Sequence, residues 1–403
     1  MTAPLPCDLR LEARLLLDRG IVSPGVLLVR DGSVLWSGAA SEAPPASAAT
    51  TLQLGELTVA PGYVDVHVHG ARGADVVDGS AEALQVIARA HCERGTTAWC
   101  PTILTASVAR TLRALEAIAD ACEAEQRAGD DAHEGARVIG AHLEGPFLNP
   151  ARAGAQPVEH MRAPDGALLD ELLAAARGHV SVMTIAPELP GALGLVRTLA
   201  ARGVAVSVGH SDATFEQVAA AVDAGARSVT HLFNAMRPLH HREPGVVGAA
   251  LAFDSLTAEV IADGVHVAAP TLRLVPRLLS VERVALITDC TAALDAEPGA
   301  ARLGDRPVQV RDGSARFEDG TLAGSVLSMD RAVQNMVQLA GVHLRSAVAC
   351  ASRVPSRLVG ASQLGSLSQG RNADFVVLDD ELAVTATFIA GKLASGELEA
   401  LEP

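Results

Sequence analysis

Side chains that can ligate a metal or carry a proton recur in this chain where short apolar runs end. His67 and His69 close the run that begins at Tyr63. Residues two apart on a strand share a face, so both imidazoles can address one centre. Glu144 follows in His142-Leu143-Glu144-Gly145-Pro146, and His210 in Gly209-His210-Ser211-Asp212. His231 comes after Thr230, His266 in Asp263-Gly264-Val265-His266, and Asp289 after Thr288. A donor set of His, Glu and Asp without Cys suits Zn2+ or Fe2+ with one position left for water. Such an ion lowers the pKa of its water to about 7 and so supplies a nucleophile at neutral pH. A lone histidine is ordinarily a core or surface residue, and that is the expectation for His91, His133, His160, His179 and His343. His67, His69, Glu144, His210, His231 and Asp289 close successive runs, and together they point to one metal site.

The elements that must position these residues alternate between strand and helix. Strand candidates are Tyr63–His67, Val138–Leu143, Val180–Ile185, Val204–Val208, Ser228–Leu232, Glu259–Ala262 and Val284–Thr288, short and rich in Val and Ile. They do not strictly alternate, as expected of parallel strands buried on both faces. Between them lie amphipathic helices: one over Asp165–Arg177, one over Thr214–Ala224 with a Thr214/Gln217 capping box and Gly225 at its end, and one over Ser328–Ala340. The fold class expected is therefore α/β, a (β/α)8 TIM-like barrel whose strand ends converge on one mouth. Short strand-like pieces at both ends (Ala13–Leu17, Gly25–Arg30, Ser33–Ser37, Asp374–Leu378, Val384–Ile389) predict a small β-sandwich domain assembled from both termini. The expected division is 1–58 and 365–403 for the small domain and 59–364 for the barrel.

Composition removes several function classes. The 403 residues carry a formal charge of −15, which argues against a nucleic-acid partner while leaving room for a small anion held by a local Arg/His cluster. No apolar run approaches the ~20 residues that span a bilayer, and Met1–Leu11 does not have the pattern of a secretory signal. The six cysteines show no CxxC pair, which fits reduced thiols and a cytoplasmic location. Lys392 is the only lysine, so Schiff-base chemistry in the barrel, a class I aldolase included, is excluded for want of an amine. A carboxylated lysine bridging two metals is excluded as well, unless Lys392 reaches the site.

Pro61-Gly62-Tyr63-Val64-Asp65-Val66-His67-Val68-His69-Gly70 resembles the first-strand signature of the amidohydrolase superfamily. Within it, His142–Phe147, Ala186-Pro187-Glu188, Gly209–Thr214, His231–Met236, Arg242–Gly245, Ala262–His266 and Leu322–Ser325 resemble the N-acetylglucosamine-6-phosphate deacetylases, in order, over roughly residues 55–380. That resemblance implies a metal held by Glu144, His210 and His231, with His67 and His69 leaving room for a second and Glu144 as the bridge. The cofactor expected is a divalent metal, Zn2+ first and Fe2+ as the other candidate, one or two per subunit. Asp289 is implied as the proton shuttle between the metal-bound hydroxide and the leaving amine. Asn234 and the Ala235 backbone are implied to hold the phosphate end, His266 to touch the sugar or its phosphate, and Ala155 and Leu322 to line the substrate. Arg242 is implied to pair with the phosphate, as a candidate lent by the neighbouring subunit of a homodimer. Gln156 stands where relatives often have a His near the carbonyl, and its amide can donate to the developing oxyanion. Cys290, beside the shuttle, reads as a packing residue, with a reactive thiol as the other reading.

The function expected is hydrolysis of the acetamide of N-acetylglucosamine 6-phosphate to glucosamine 6-phosphate and acetate. The alternatives are the same chemistry on N-acetylgalactosamine 6-phosphate or an N-acyl amino acid, and a non-catalytic scaffold on the amidohydrolase fold. A scaffold tolerates lost ligands, whereas here every metal and proton-transfer position is filled.

Overall fold

The computed structural model describes residues 4–128 and 134–397, so His133 lies outside the described residues. Eight strands form the barrel: β1 (Tyr63–Val68), β2 (Thr96–Leu104), β3 (Ala141–Glu144), β4 (Val180–Ile185), β5 (Ala205–Val208), β6 (Ser228–Val229), β7 (Thr257–Ile261) and β8 (Val284–Ile287). Each pairs in parallel with its neighbour in sequence order. Every residue of β1, β2 and β3 is buried, which is why their side chains do not alternate between apolar and polar. The seam between β8 and β1 closes at the C-terminal ends, where Asp289 N donates to His67 O at 2.9 Å and His69 N to Cys290 O at 2.8 Å. Asp65 ties the same seam, accepting from Thr288 Oγ1 at 2.5 Å and from Thr288 N at 3.3 Å. Burial pushes the Asp65 carboxyl up to about 7 in spite of these bonds.

Helices lie between the strands, and the local signals hold where they were read. Asp165 caps Gly166–Ala175 by accepting from Ala167 N and Leu168 N. Thr214 and Gln217 form the capping box of Phe215–Ala224, which ends at Gly225 with φ 119°. The run Met329–Gln338 buries Val333 and Met336 against the barrel. Strand β2 was not anticipated, because Pro101 inside Thr96–Leu104 removes a backbone donor and argues against a central strand. Pro101 is accommodated at an irregularity where the β1–β2 register shifts between Asp65 and Val68.

The two chain ends build one separate, mostly antiparallel sheet of seven strands. Its order is Lys392–Gly396, Val384–Ile389, Phe375–Leu378, Ala46–Pro61, Leu5–Leu17, Gly20–Arg30 and Ser33–Ala39. The central strand Ala46–Pro61 was also not anticipated, since its start is rich in Ala, Ser and Thr and Gly55 interrupts it. It pairs in parallel with Leu5–Leu17 and antiparallel with Phe375–Leu378, then leads directly into β1. Leu9, Leu11, Leu27, Val377, Phe375 and Phe388 form a core belonging to this sheet alone, with the two phenyl rings stacked 4.5 Å apart. Lys392 lies on the exposed outer strand of the terminal sheet and not in the barrel, so the barrel works without an amine.

A buried ion pair between Arg137 and Asp374 couples the two parts. Arg137 belongs to a short strand paired with β2, while the Asp374 backbone carbonyl accepts from Gly62 N at 2.9 Å just before β1. Asp374 Oδ1 also accepts from Ala390 N at 2.8 Å. Among the described residues, no helix is long and apolar enough to cross a membrane. Removing one member of a buried pair leaves the other charge unbalanced, at a cost of about 3–5 kcal/mol. Asp374→Ala is accordingly expected to lower unfolding stability by about that much in urea titration. A loss below about 1 kcal/mol would show that the pair does not couple the sheet to the barrel.

Candidate metal centre

The C-terminal ends of the barrel strands carry the ligand-type side chains. His67 lies within β1 and His69 just beyond it; Glu144 is the last residue of β3. His210, His231 and Asp289 each stand two residues past the paired part of β5, β6 and β8. All three adopt a left-handed backbone, with φ of 47°, 32° and 49°. That conformation costs a residue with a Cβ roughly 1–2 kcal/mol, and here it coincides with side chains that converge over the barrel.

Glu144 is the hub. Its Oε1 lies 3.0 Å from His210 Nε2, 3.2 Å from His231 Nε2 and 3.5 Å from His67 Nε2. Its Oε2 lies 3.2 Å from His69 Nε2. The two pairs of Nε2 atoms are themselves close: 3.1 Å for His210 and His231, 3.3 Å for His67 and His69. Asp289 Oδ1 stands 3.4 Å from His67 Nε2 and 3.3 Å from His69 Nε2. Two three-donor groups able to hold a metal result, Glu144/His210/His231 and His67/His69/Glu144, and both are buried. Two nitrogens bound tetrahedrally to one ion at about 2.0–2.1 Å stand about 3.3 Å apart, so the spacing suits a divalent metal.

The far side of each imidazole fixes its tautomer. Nδ1 of His69 meets Thr102 O at 3.0 Å, that of His210 meets Arg152 O at 3.0 Å, and that of His231 meets Asn234 O at 3.2 Å. Nδ1 of His67 meets Glu259 Oε2 at 3.2 Å. Carbonyl and carboxylate oxygens only accept, so each Nδ1 carries a hydrogen and each Nε2 is the atom turned toward the centre, able to ligate once any proton on it is lost. Thr102 and Glu259 had not been singled out in the sequence. The first sits on the unanticipated β2, and the second was legible as a charged residue between the apolar Ala258 and Val260 of β7.

Electrostatics follow from this crowding. Burial alone would raise Glu144, but His67, His210 and His231 hold its carboxyl well below the usual range. Asp289 is lowered in the same way by His67 and His69, against its own burial. Burial would lower His69, yet Asp289 and Glu144 raise it to about 9. His142, packed 4.5 Å from the His67 ring, is pushed well below its usual value by burial and by His67. It stays neutral, joining Val66 O at 2.9 Å and Thr184 Oγ1 at 2.8 Å.

The remaining candidates surround this centre to different degrees. Gln156 is fastened at both ends of its amide: Nε2 donates to Glu144 Oε2 at 2.5 Å, and Oε1 accepts from Thr105 N at 2.9 Å. One Nε2 hydrogen is left for another acceptor. Ala155 packs half-buried against the barrel core, and Leu322 is half-buried beside Ala323. Asn234 Nδ2 turns back onto His231 O and Leu232 O, both at 3.3 Å, while Ala235 has φ 47°. His266 Nδ1 joins Asp263 Oδ2 at 2.6 Å, and that carboxylate raises the imidazole against the effect of burial. Arg242 is exposed, next to His241 Nε2 at 2.7 Å, and has no ion pair among the described residues. Cys290 is buried with its thiol pushed well up, which suits a packing residue rather than a thiolate. Of the other histidines, His91 is buried and stacked on Trp99, while His343 caps the helix Leu344–Ala351.

A cation that takes the Nε2 lone pairs of His67 and His69 must displace the protons those rings hold. With His69 raised to about 9, that proton is present throughout pH 6–8, so metal affinity should climb as pH rises toward 9. Calorimetric metal titrations in buffers of different ionisation enthalpy are expected to report net proton release at pH 7.5. A heat independent of buffer would contradict this arrangement.

Residues 58–394 match the model of the amidohydrolase family. The chain is 41% identical over 383 residues to the N-acetylgalactosamine-6-phosphate deacetylase of Escherichia coli O157:H7, covering 95% of this chain and 98% of that one. It is 37% identical over 336 residues to the N-acetylglucosamine-6-phosphate deacetylase of Lysinibacillus sphaericus, covering 83% and 84%. Among solved structures, the N-acetyl-D-glucosamine-6-phosphate deacetylase of Mycobacterium smegmatis superposes with a TM-score of 0.88 at 37% identity, over 96% of this chain and 100% of that one.

Proposed function

The chain belongs to the amidohydrolase family, and we propose that it hydrolyses the acetamide of N-acetylglucosamine 6-phosphate to glucosamine 6-phosphate and acetate. The observation that carries this reading is the placement of Asp289. An ionised carboxylate stands at the edge of two histidine–glutamate cradles that share Glu144. Zinc is the ion proposed, held by Glu144, His210 and His231, with His67, His69 and Glu144 as a second position. When bound there, a divalent ion acidifies water and polarises the acetamide carbonyl.

The protein groups have separable tasks. Asp289 Oδ1 accepts one proton from the attacking water and returns it to nitrogen as the C–N bond breaks, so the amine leaves neutral and acetic acid remains, which gives its proton to the amine or to solvent to become acetate. Gln156, already locked by Thr105 and Glu144, aims its remaining N–H at the carbonyl oxygen as that oxygen gains charge. Asn234 and the Ala235 backbone hold the phosphate end, Ala155 and Leu322 line the sugar, and His266 touches the sugar or its phosphate. Arg242, on its exposed loop, reaches the phosphate of a partner subunit in a homodimer, where a guanidinium fork suits a phosphate. The barrel, 59–364, is the catalytic unit, with 1–58 and 365–403 as its support, and the enzyme works in the cytoplasm. A second reading, the galacto epimer as substrate, is favoured by the 41% identity to the E. coli O157:H7 relative.

Acetate release by metal-replete protein should be strong from N-acetylglucosamine 6-phosphate and weak from the unphosphorylated sugar. Faster release from N-acetylgalactosamine 6-phosphate would transfer the assignment to the second reading, and release from neither would overturn both. Asp289→Asn is expected to keep its metal while turnover falls by about 10²–10⁴-fold. Metal analysis beside kcat checks this, and unchanged kcat would remove Asp289 from the proton path.

A further inference from the structure

Among the described residues, one buried carboxylate outside both cradles has an oxygen without a hydrogen-bond partner. Glu259, on β7, is fully buried, and its Oε2 meets only His67 Nδ1, at 3.2 Å. Its Oε1 has no hydrogen-bond partner among the described residues. A structural glutamate in a barrel interior would satisfy both oxygens, because an unpaired buried polar atom is destabilising. Glu259 satisfies one, and the group it satisfies is an imidazole whose other nitrogen faces the metal cradle.

The comparison among the four imidazoles is informative. His69, His210 and His231 rest on neutral backbone carbonyls, and His67 alone rests on a carboxylate. A carboxylate behind an imidazole raises the basicity of the far nitrogen and holds the ring plane more firmly than a carbonyl does. Charge adds to the argument. Glu144, Asp289 and Glu259 gather around His67, and among the described residues their ion-pair partners are imidazoles only, with no guanidinium or ammonium. Three carboxylates that no Arg or Lys neutralises call for more positive charge than one divalent ion brings.

We propose that Glu259 is a positioning residue: it orients His67 and makes it electron-rich, so that the His67/His69/Glu144 cradle holds a second divalent cation beside the one at Glu144/His210/His231. The proposal rests on the metal-centre reading above. It places the difference between the two positions in one side chain that does not itself reach the cation. The first position depends on carbonyl-backed histidines and is indifferent to residue 259, while the second depends on it.

The test is a Co2+ titration of chelator-stripped full-length protein, followed by visible absorption and by metal counting after dialysis, for wild type, Glu259→Gln and Glu259→Leu. Wild type should saturate at two equivalents. Glu259→Leu should keep the first equivalent, with its absorption band unaltered, and bind the second about 10–100-fold more weakly. Glu259→Gln should fall between, since its amide oxygen still accepts from His67 Nδ1 but carries no charge. Two equivalents bound as tightly by Glu259→Leu as by wild type would overturn the proposal. Equal weakening of both equivalents would also overturn it, because that is the mark of a general structural defect. Should circular dichroism show that Glu259→Leu does not fold, the same outcomes are read from Glu259→Gln. A wild type that binds one equivalent would overturn the proposal and leave the deacetylase reading to stand on acetate release. A wild type that binds two but releases no acetate would leave Glu259 in its role and remove the substrate instead.

Discussion

A carboxylate taken out of water has to be balanced, and among the described residues the ion-pair partners of Glu144 are all imidazoles, with the Gln156 amide donating beside them. With one oxygen toward His210 and His231 and the other toward His69, this single side chain needs three strand ends and a loop to arrive within hydrogen-bond distance of one another. Arginine would have neutralised it more simply, and would have blocked the lone pairs that make the site useful. Among the described residues no guanidinium or ammonium pairs with Glu144, so its balance rests on the histidines being correctly placed.

That requirement explains several features that look local. The left-handed backbones of His210, His231 and Asp289 are tolerable because each residue is held on both sides by its strand and its hydrogen bonds. The interior beneath the cradles is polar where a barrel of this kind usually carries branched aliphatics. Thr184, Thr230 and Ser207 pass hydrogen bonds from one to the next, at 2.8 and 2.6 Å, and Thr184 also meets His142. These hydroxyls give the buried His142 a partner and so keep a neutral ring against His67. The seam between β8 and β1 serves the same end, since Asp65, Thr288 and the Asp289 amide fix both His67 and Asp289 in a single set of bonds.

Much of this was legible in the sequence because ligand chemistry is short-range and punctuated. His67, His69, Glu144, His210, His231 and Asp289 could be read from residue type and from their position at the ends of apolar runs, and the structure brings all six together. What was not legible depends on tertiary pairing. Strand β2 hides behind Pro101 and several threonines, and with it went Thr102, whose carbonyl sets the His69 tautomer. Ala46–Pro61 has the composition of a linker and becomes a strand because it is flanked by partners from opposite ends of the chain. Gln156 was read by its place in a motif, and its commitment to Glu144 and Thr105 emerged only from the geometry.

The terminal sheet carries a consequence for how the protein is made. Thr58–Pro61 has its outer edge paired by Phe375–Leu378, residues that leave the ribosome more than three hundred positions later. Throughout synthesis of the barrel, the strand that feeds β1 presents an open edge of Leu, Thr and Val, the kind that recruits other extended chains. The barrel must therefore be assembled while its entry strand is still half-paired. The last few dozen residues act as a closing hem, so a nascent chain cut short before residue 375 should retain its ligand residues yet be prone to association with its own kind.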